Sequence, residues 1–437
     1  MMRLTSRFVS LGLRASVLGV VTTFMYLLYS SRRSHGQLPT LNENYRPGSN
    51  IVVSVKTGAS EAAGRIPIQM KSSLRNVQNV VFFSDLEQDI GEYHLYDSLD
   101  TIVPSVKENN PDFVFYQKQR ELWNTTKDIS PLKDMKNPQN TDELAAWTLD
   151  KYKNVHILEK TWALMPNYDW YVFIDADTYL LWDNIIAWLS TMDPKKKAYM
   201  GSEVVTDGTK FAHGGSGIIV SKATMHRFVV VDAGSAADWD PVIHSKCCGD
   251  LVLGMALAES GTLLQDAWPA MSGEAPWTLP IGPGTPEYWC RPALTLHHLS
   301  PEGMAEFTSF EERRQNKTIP LTHEELFNTF ILDSIVSERD NWDNLASDRG
   351  EFGKTGGVSS ETSSFEECAR ACEADEKCFQ YSHHGNTCNI GMSVRLGYKK
   401  EADDVGIWRS GWNKTRLIDW AAKQPSCGPV TFPKQAE

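Results

Sequence analysis

The chain has 437 residues, 41% hydrophobic and 22% charged, the composition of a folded protein rather than a disordered one. It carries 43 basic and 55 acidic side chains and a formal net charge of −12, with no long basic stripe, which argues against a nucleic-acid partner. The short run Lys195, Lys196, Lys197 reads as a solvated turn, and the length allows two domains, or one large domain and a module.

The N-terminus differs from the rest. Arg3, Arg7 and Arg14 precede the uncharged stretch ASVLGVVTTFMYLLY (residues 15–29), and Arg32 and Arg33 follow it. A membrane-spanning helix needs about 20 apolar residues. Residues 8–29 reach that length if Arg14 snorkels toward the headgroups. A cleaved signal peptide is the alternative, but no small-residue cleavage site stands out. Residues 1–33 are read as a cytoplasmic tail and signal-anchor helix of a single-pass type II protein, with the bulk of the chain in the lumen of the secretory pathway. Three N-x-[ST] triplets, at Asn124, Asn316 and Asn413, agree with that fate. So do eight cysteines concentrated in the C-terminal half, which suit an oxidising compartment. Residues 34–50 are polar and turn-rich, and read as a stalk.

Order is expected from residue 51. Residues 51–55, 80–83 and 170–174 are short apolar, largely β-branched or aromatic runs bounded by turns, which suits strands buried on both faces. Longer helical patterns lie between them, such as TDELAAWTLDKYKNVHILEKTWALMP (residues 141–166). Alternating strands and helices imply an α/β domain with a mainly parallel sheet over residues 51–330. Ligands of such sheets bind beyond the carboxyl ends of the strands, where Asp85, Asp175 and Asp177 fall. Thr322 and Glu325 form a capping box on a helix that closes the domain. Residues 331–349 read as a linker, and residues 350–437 as a last module and tail. Within that module Ser364 and Glu367 cap a helix carrying Cys368 and Cys372 at i and i+4, followed by a hairpin with Cys378 and Cys388. Two disulfides would staple so small a core.

The run DWYVFIDADTYLLW ends a buried strand in two carboxylates. Residues i and i+2 of an extended chain face one side, so Asp175 and Asp177 are expected to enter one cleft. Hard oxygen ligands suit Mg²⁺ or Mn²⁺, and a divalent ion neutralises a departing diphosphate, which transfer from a nucleotide-sugar requires. Trp170, Tyr171, Tyr179 and Trp182 nearby offer surfaces for bases and sugars, or plain core.

Four blocks in this order, DWYVFIDADTYLLWDN, HGGSGIIVSK (residues 213–222), CCGDLVLG (residues 247–254) and LTLHHLSPE (residues 294–302), resemble glycosyltransferase family 31, the Fringe-type and core 1 β-1,3-galactosyltransferase enzymes, in its fungal branch. The resemblance covers roughly residues 51–310. It implies a nucleotide-sugar-binding (GT-A-like) fold, a UDP-sugar donor and Mn²⁺. It also implies that Asp177 holds the metal, that Asp175 assists or contacts the ribose, and that His297, or its neighbour His298, completes the coordination. Gly214 and Gly215 would let substrate approach the backbone. Lys56, Thr57 and Asp85 fall where the family contacts uracil and ribose. Asp250 would be the general base, although aspartate there also suits a helix N-cap. The family's preceding acid is missing, and Gly249 stands in its place. The last module resembles a PAN/Apple domain, which implies nested pairs Cys368–Cys388 and Cys372–Cys378. Cys247, Cys248, Cys290 and Cys427 allow three pairings, and sequence does not choose among them.

These readings describe a metal-dependent inverting transferase that moves a sugar, galactose being expected, onto a glycan or glycoprotein in β-1,3 linkage in the Golgi. A carbohydrate-binding protein that has lost turnover, and a metal-dependent hydrolase, are the rivals.

Overall fold

The computed structural model describes residues 47–108, 110–348 and 358–436. The expected anchor and most of the stalk lie outside the described residues. Among the described residues no helix is long and apolar enough to cross a membrane.

Eight strands form the central sheet: β1 (Ile51–Lys56), β2 (Val80–Ser84), β3 (Gln88–Ile90), β4 (Tyr93–Asp97), β5 (Trp170–Asp175), β6 (Tyr199–Gly201), β7 (Ile218–Ser221) and β8 (Leu264–Asp266), in the order β8-β6-β7-β5-β1-β2-β4-β3. Pairing is parallel along β5-β1-β2-β4 and between β8 and β6, so the sheet is mainly parallel as the sequence implied. β3 and β7 run antiparallel.

The apolar runs of β1 and β5 lack polar alternation because both faces are covered. Val52, Tyr171 and Phe173 enter one core, and Val53, Val55, Val172 and Ile174 the other. Helix α1 (Ala59–Lys71) lays Ala62 and Ile66 on the second face. The helical pattern at residues 141–166 is broken into α2 (Ala145–Asp150) and α3 (Asn154–Leu164), and the intervening turn buries Lys153. Together α3 and α4 (Gly249–Glu259) cover the first face with Val155, Leu158, Val252 and Leu253.

The expected linker at residues 331–349 is instead partly structured. β9 (Glu338–Asp340) pairs with β13 (Arg409–Trp412), and Trp342–Asp343 pairs with Tyr398–Lys399. Its polar residues suit an edge strand with one wet face, on which Arg409 donates to Asp340 at 2.8 Å. The rest of this sheet is β10 (Val358–Glu361), β11 (Gln380–His384) and β12 (Thr387–Gly391), in the order β9-β13-β11-β12-β10. Helix α5 (Phe365–Ala374), capped by Ser364, is pinned to the hairpin by Cys368–Cys388 and Cys372–Cys378. Cys247 pairs with its neighbour Cys248, and Cys290 with Cys427. The last bridge returns the tail to the first domain, where the Trp188 indole donates to the Pro433 carbonyl at 2.8 Å. One apolar cluster joins Trp289, Phe327 and Phe330 to Phe379, Val394 and Trp412, so the two parts share a core.

Candidate active site

The register of β1 and β5 sets Lys56 opposite Asp175 at the carboxyl edge of the sheet. Parity sends both side chains to the face covered by α3 and α4. The Lys56 ammonium is ion-paired with Asp150 and lies 3.3 Å from Asp175. Lys153 is almost fully buried. It donates to the Thr57 carbonyl at 3.0 Å and lies 3.5 Å from both Asp85 and Asp150. A ladder of alternating charge, Asp85–Lys153–Asp150–Lys56–Asp175, thus crosses the sheet edge. Each buried charge needs its neighbours, because an unpaired one carries a desolvation cost of several kcal/mol. Burial alone would lower the Lys56 pKa, but Asp150 and Asp175 raise it overall. Burial pushes the Asp175 carboxyl up, against the pull of Lys56, while Lys56 and Lys153 outweigh burial and hold Asp150 low. Asp85 accepts from the Ala59 backbone at 2.7 Å with Oδ1, whereas its buried Oδ2 has no hydrogen-bond partner.

Beyond β5 the chain turns, with the Thr178 amide donating to the Asp175 carbonyl at 3.0 Å. Asp177 therefore lies in the turn that follows the strand end carrying Asp175. Asp177 Oδ1 stands 3.2 Å from His297 Nε2, and its Oδ2 4.0 Å from His298 Nδ1. These three side chains present ligand atoms within 4.8 Å of one another, and Asp175 is not among them. Asp175, expected among the ligands, stands 3.3 Å from Lys56 and outside this group, which takes in both His297 and its neighbour His298. His298 has a left-handed φ of 59°, an uncommon conformation for a non-glycine residue. Burial pushes the Asp177 carboxyl up, but the His297 hydrogen bond and the charges of His297, Arg65 and His298 bring it down to about 2. A carboxylate with two imidazoles suits a divalent transition-metal ion better than Mg²⁺ or Ca²⁺, which favour all-oxygen sites.

The glycine block forms the wall between these groups. A Cβ on Gly215 would lie 2.1 Å from His297 Cε1, so only glycine admits the ring there. Thr178 Oγ1 donates to the Gly215 carbonyl at 2.7 Å, buttoning the aspartate turn to the block. The Gly214 amide donates to Asp250 Oδ2 at 2.8 Å. Asp250 is the second residue of α4, and Cys248 holds the cap position, so the N-cap alternative for Asp250 does not apply. Burial raises the Asp250 pKa, with opposition from the Gly214 amide and from Lys56. Burial, with the charges of His297, His298 and Lys56, pushes His213 down to about 4 and keeps it neutral. The missing acid before Asp250 has a steric cause. A Cβ on Gly249 would stand 2.6 Å from the Lys151 carbonyl oxygen, so no side chain fits.

The structure thus gathers Lys56, Thr57, Asp85, Asp175, Asp177, Gly214, Gly215, Asp250 and His297 at one sheet edge. Sequence reasoning missed Asp150, Lys153 and Asn154, which lie at the end of α2, in the turn that follows and at the start of α3. The available signal was polar residues, DKYKN, interrupting a long helical pattern.

Residues 47–260 match the Fringe-like family model. Among solved structures the chain is similar to "a glycosyltransferase involved in the glycosylation of the major capsid of PBCV-1", at 11% identity over 59% of this chain and 99% of that one, with a TM-score of 0.31. It is also similar to the glycosyltransferase GlyE of Streptococcus pneumoniae TIGR4, at 13% identity over 59% of each chain and a TM-score of 0.31. A third is the galactosyltransferase LgtC in complex with donor and acceptor sugar analogs, at 10% identity over 59% of this chain and 95% of that one, with a TM-score of 0.30. The family match takes in every candidate residue from Lys56 to Asp250, and His297 and His298 follow beyond it. Residues 47–260 form a Fringe-like glycosyltransferase domain and belong to that family.

Proposed function

We propose that the chain transfers a hexose, galactose being the expected one, from a UDP-sugar to a hydroxyl of a glycan or glycoprotein, with inversion and in β-1,3 linkage. The observation that supports this most is that the Asp250 carboxylate and the group of Asp177, His297 and His298 stand on the two sides of one glycine turn.

Asp177, His297 and His298 would hold Mn²⁺. A cation there supplies positive charge that offsets the charge on the departing diphosphate. Asp250 takes the proton of the acceptor hydroxyl as that oxygen bonds to the anomeric carbon. The bond from the anomeric carbon to the diphosphate oxygen breaks, and UDP leaves with the electron pair. The Gly214 amide holds the Asp250 carboxylate in place, and burial raises its basicity toward the working pH. Lys56, locked between Asp150 and Asp175, keeps positive charge next to the ribose and diphosphate, and the fully buried Asp85 braces Lys153 behind it. The N-terminal segment would anchor the enzyme in a Golgi membrane with this domain in the lumen.

The test is UDP release from a panel of UDP-hexoses with Mn²⁺, with and without glycan acceptors. One UDP-hexose should give acceptor-stimulated release and a β-linked product by NMR. Release that no acceptor raises would instead indicate hydrolysis and contradict the reading.

A further inference from the structure

The candidate cation cluster is held from behind by a segment that the C-terminal module grips. The His297 amide donates to the Glu274 carbonyl at 3.0 Å, so the position of Glu274 sets where the His297 ring stands. Glu274 and the residues after it are tied to residues 394–397 of the module. Arg395 Nη1 donates to Glu274 Oε1 at 2.8 Å. The Gly397 amide donates to the Trp277 carbonyl at 2.9 Å, and Ile281 and Val394 exchange backbone hydrogen bonds at 3.1 and 2.9 Å.

Arg395 is the charged member of this seam. Gln380 accepts from its amide at 2.8 Å, and its carbonyl accepts from the Trp412 indole at 2.9 Å, which fixes its backbone in the module. Its side chain, only 2% exposed, forks between Glu274 and Asp348, with Nη2 2.9 Å from Asp348 Oδ2. A buried guanidinium carries a desolvation penalty that an apolar side chain of similar volume would avoid while closing the same seam. What arginine adds is direction: its planar fork holds the Glu274 carboxylate at one angle, and with it the carbonyl that receives His297.

We infer that Arg395, in the C-terminal module, is a positioning residue for the cation cluster and acts through Glu274 on His297. This rests on the reading of Asp177, His297 and His298 as cation ligands, and it makes the module a part of the active site.

The experiment has two readouts on the full chain. Hydrogen exchange by mass spectrometry follows the peptide containing the His297 amide, without metal. Electron paramagnetic resonance follows Mn²⁺ uptake in the presence of UDP. The variants are Arg395→Ala, Glu274→Ala, the two combined, and Glu274→Gln. Lys400→Ala is the control, because its ion pair with Asp343 at 2.9 Å lies within the module. Removing Arg395 strands no buried carboxylate, since the Glu274 and Asp348 side chains are 29% and 41% exposed. Arg395→Ala and Glu274→Ala should each speed exchange at His297 and weaken Mn²⁺ uptake about tenfold. The double variant should be no weaker than the single ones, because all three break one connection. Glu274→Gln keeps an acceptor for Arg395 and should stay near wild type, which separates positioning from the charge of Glu274. Lys400→Ala should leave both readouts unchanged. Unchanged exchange and uptake in Arg395→Ala, additive losses in the double variant, a Glu274→Gln as weak as Glu274→Ala, or an equal loss in Lys400→Ala overturns the inference. A wild type that takes up no Mn²⁺ overturns the cation reading instead, and the metal-free exchange comparison still decides whether Arg395 holds His297. If Arg395→Ala does not fold, Glu274→Ala decides in its place, and wild-type behaviour of that variant overturns the inference.

Discussion

Replacing Gly215 by alanine should disable the candidate cation site without changing any of its ligands. The added Cβ would sit 2.1 Å from His297 Cε1 and 2.6 Å from both ring nitrogens. Ordinary carbon contacts need roughly 3.5–4.0 Å, so the ring must move by more than about 1 Å. The glycine cannot yield, because Thr178 holds its carbonyl at 2.7 Å. The His297 backbone is likewise held, its amide donating to the Glu274 carbonyl at 3.0 Å. The imidazole must swing away from Asp177, which it now meets at 3.2 Å. Overpacking of this kind costs about 1–3 kcal/mol of stability. Disturbing the orientation of a metal ligand costs roughly 10–100-fold in affinity. The assay is titration of Mn²⁺ in the presence of UDP, following free Mn²⁺ by electron paramagnetic resonance. Gly64→Ala is the control: nothing lies within 4 Å of its added Cβ, it is exposed within α1, and it should stabilise by about 0.5–1 kcal/mol. Wild-type Mn²⁺ affinity in a folded Gly215→Ala protein would refute the assignment of His297.

Asp250→Asn should abolish transfer while leaving UDP affinity within about twofold, because the base acts only in the chemical step. In wild type the acid limb of kcat/KM should lie above the ordinary aspartate range, since burial raises the Asp250 pKa. His323 is fully buried, its pKa is pushed down from 6.5 to about 4, and it is neutral in the fold. Protonation then favours the unfolded chain, so its contribution is complete above pH 6.5 and lost as pH falls toward 4, by roughly 3 kcal/mol. Urea denaturation across that window should show a shallower pH slope for His323→Gln, and equal slopes would contradict the neutral assignment. The Cys290–Cys427 bridge closes a sequence separation of 137 residues. Replacing both cysteines by alanine should lower unfolding free energy by roughly 2–5 kcal/mol and speed hydrogen exchange at the Trp188 indole bonded to the tail.

The parts of the fold visible in the sequence were those set by local pattern. The apolar runs of β1, β2 and β5 carry no polar alternation, and that alone fixes a sheet covered on both faces. The Thr322 and Ser364 caps, and the hairpin with Cys378 and Cys388, were readable for the same reason: each depends on residues within a few positions of one another. The antiparallel entry of β7 between β5 and β6, the edge strand β9 and the return of the tail to Trp188 were not readable, because each depends on partners far along the chain.

The candidate site divides along the same line. Asp177, Asp250, His297 and the glycines sit in compact motifs. Asp150, Lys153 and Asn154 acquire meaning only when the α2–α3 turn is brought against β1 and α4. The geometry also revised one local inference. The i, i+2 rule placed Asp175 and Asp177 on one face, but it holds only while the chain stays extended, and here the chain turns after Asp175.

The Asp177, His297 and His298 cluster is proposed to bind a nucleotide diphosphate through a divalent cation. Calorimetric titration of UDP into the full chain tests it most directly, with Mn²⁺ and with chelator, in wild type and Asp177→Ala. Wild type should take up UDP tightly only with Mn²⁺, and Asp177→Ala should take up little under either condition. Uptake by wild type that is the same with chelator, or that survives Asp177→Ala, would contradict it.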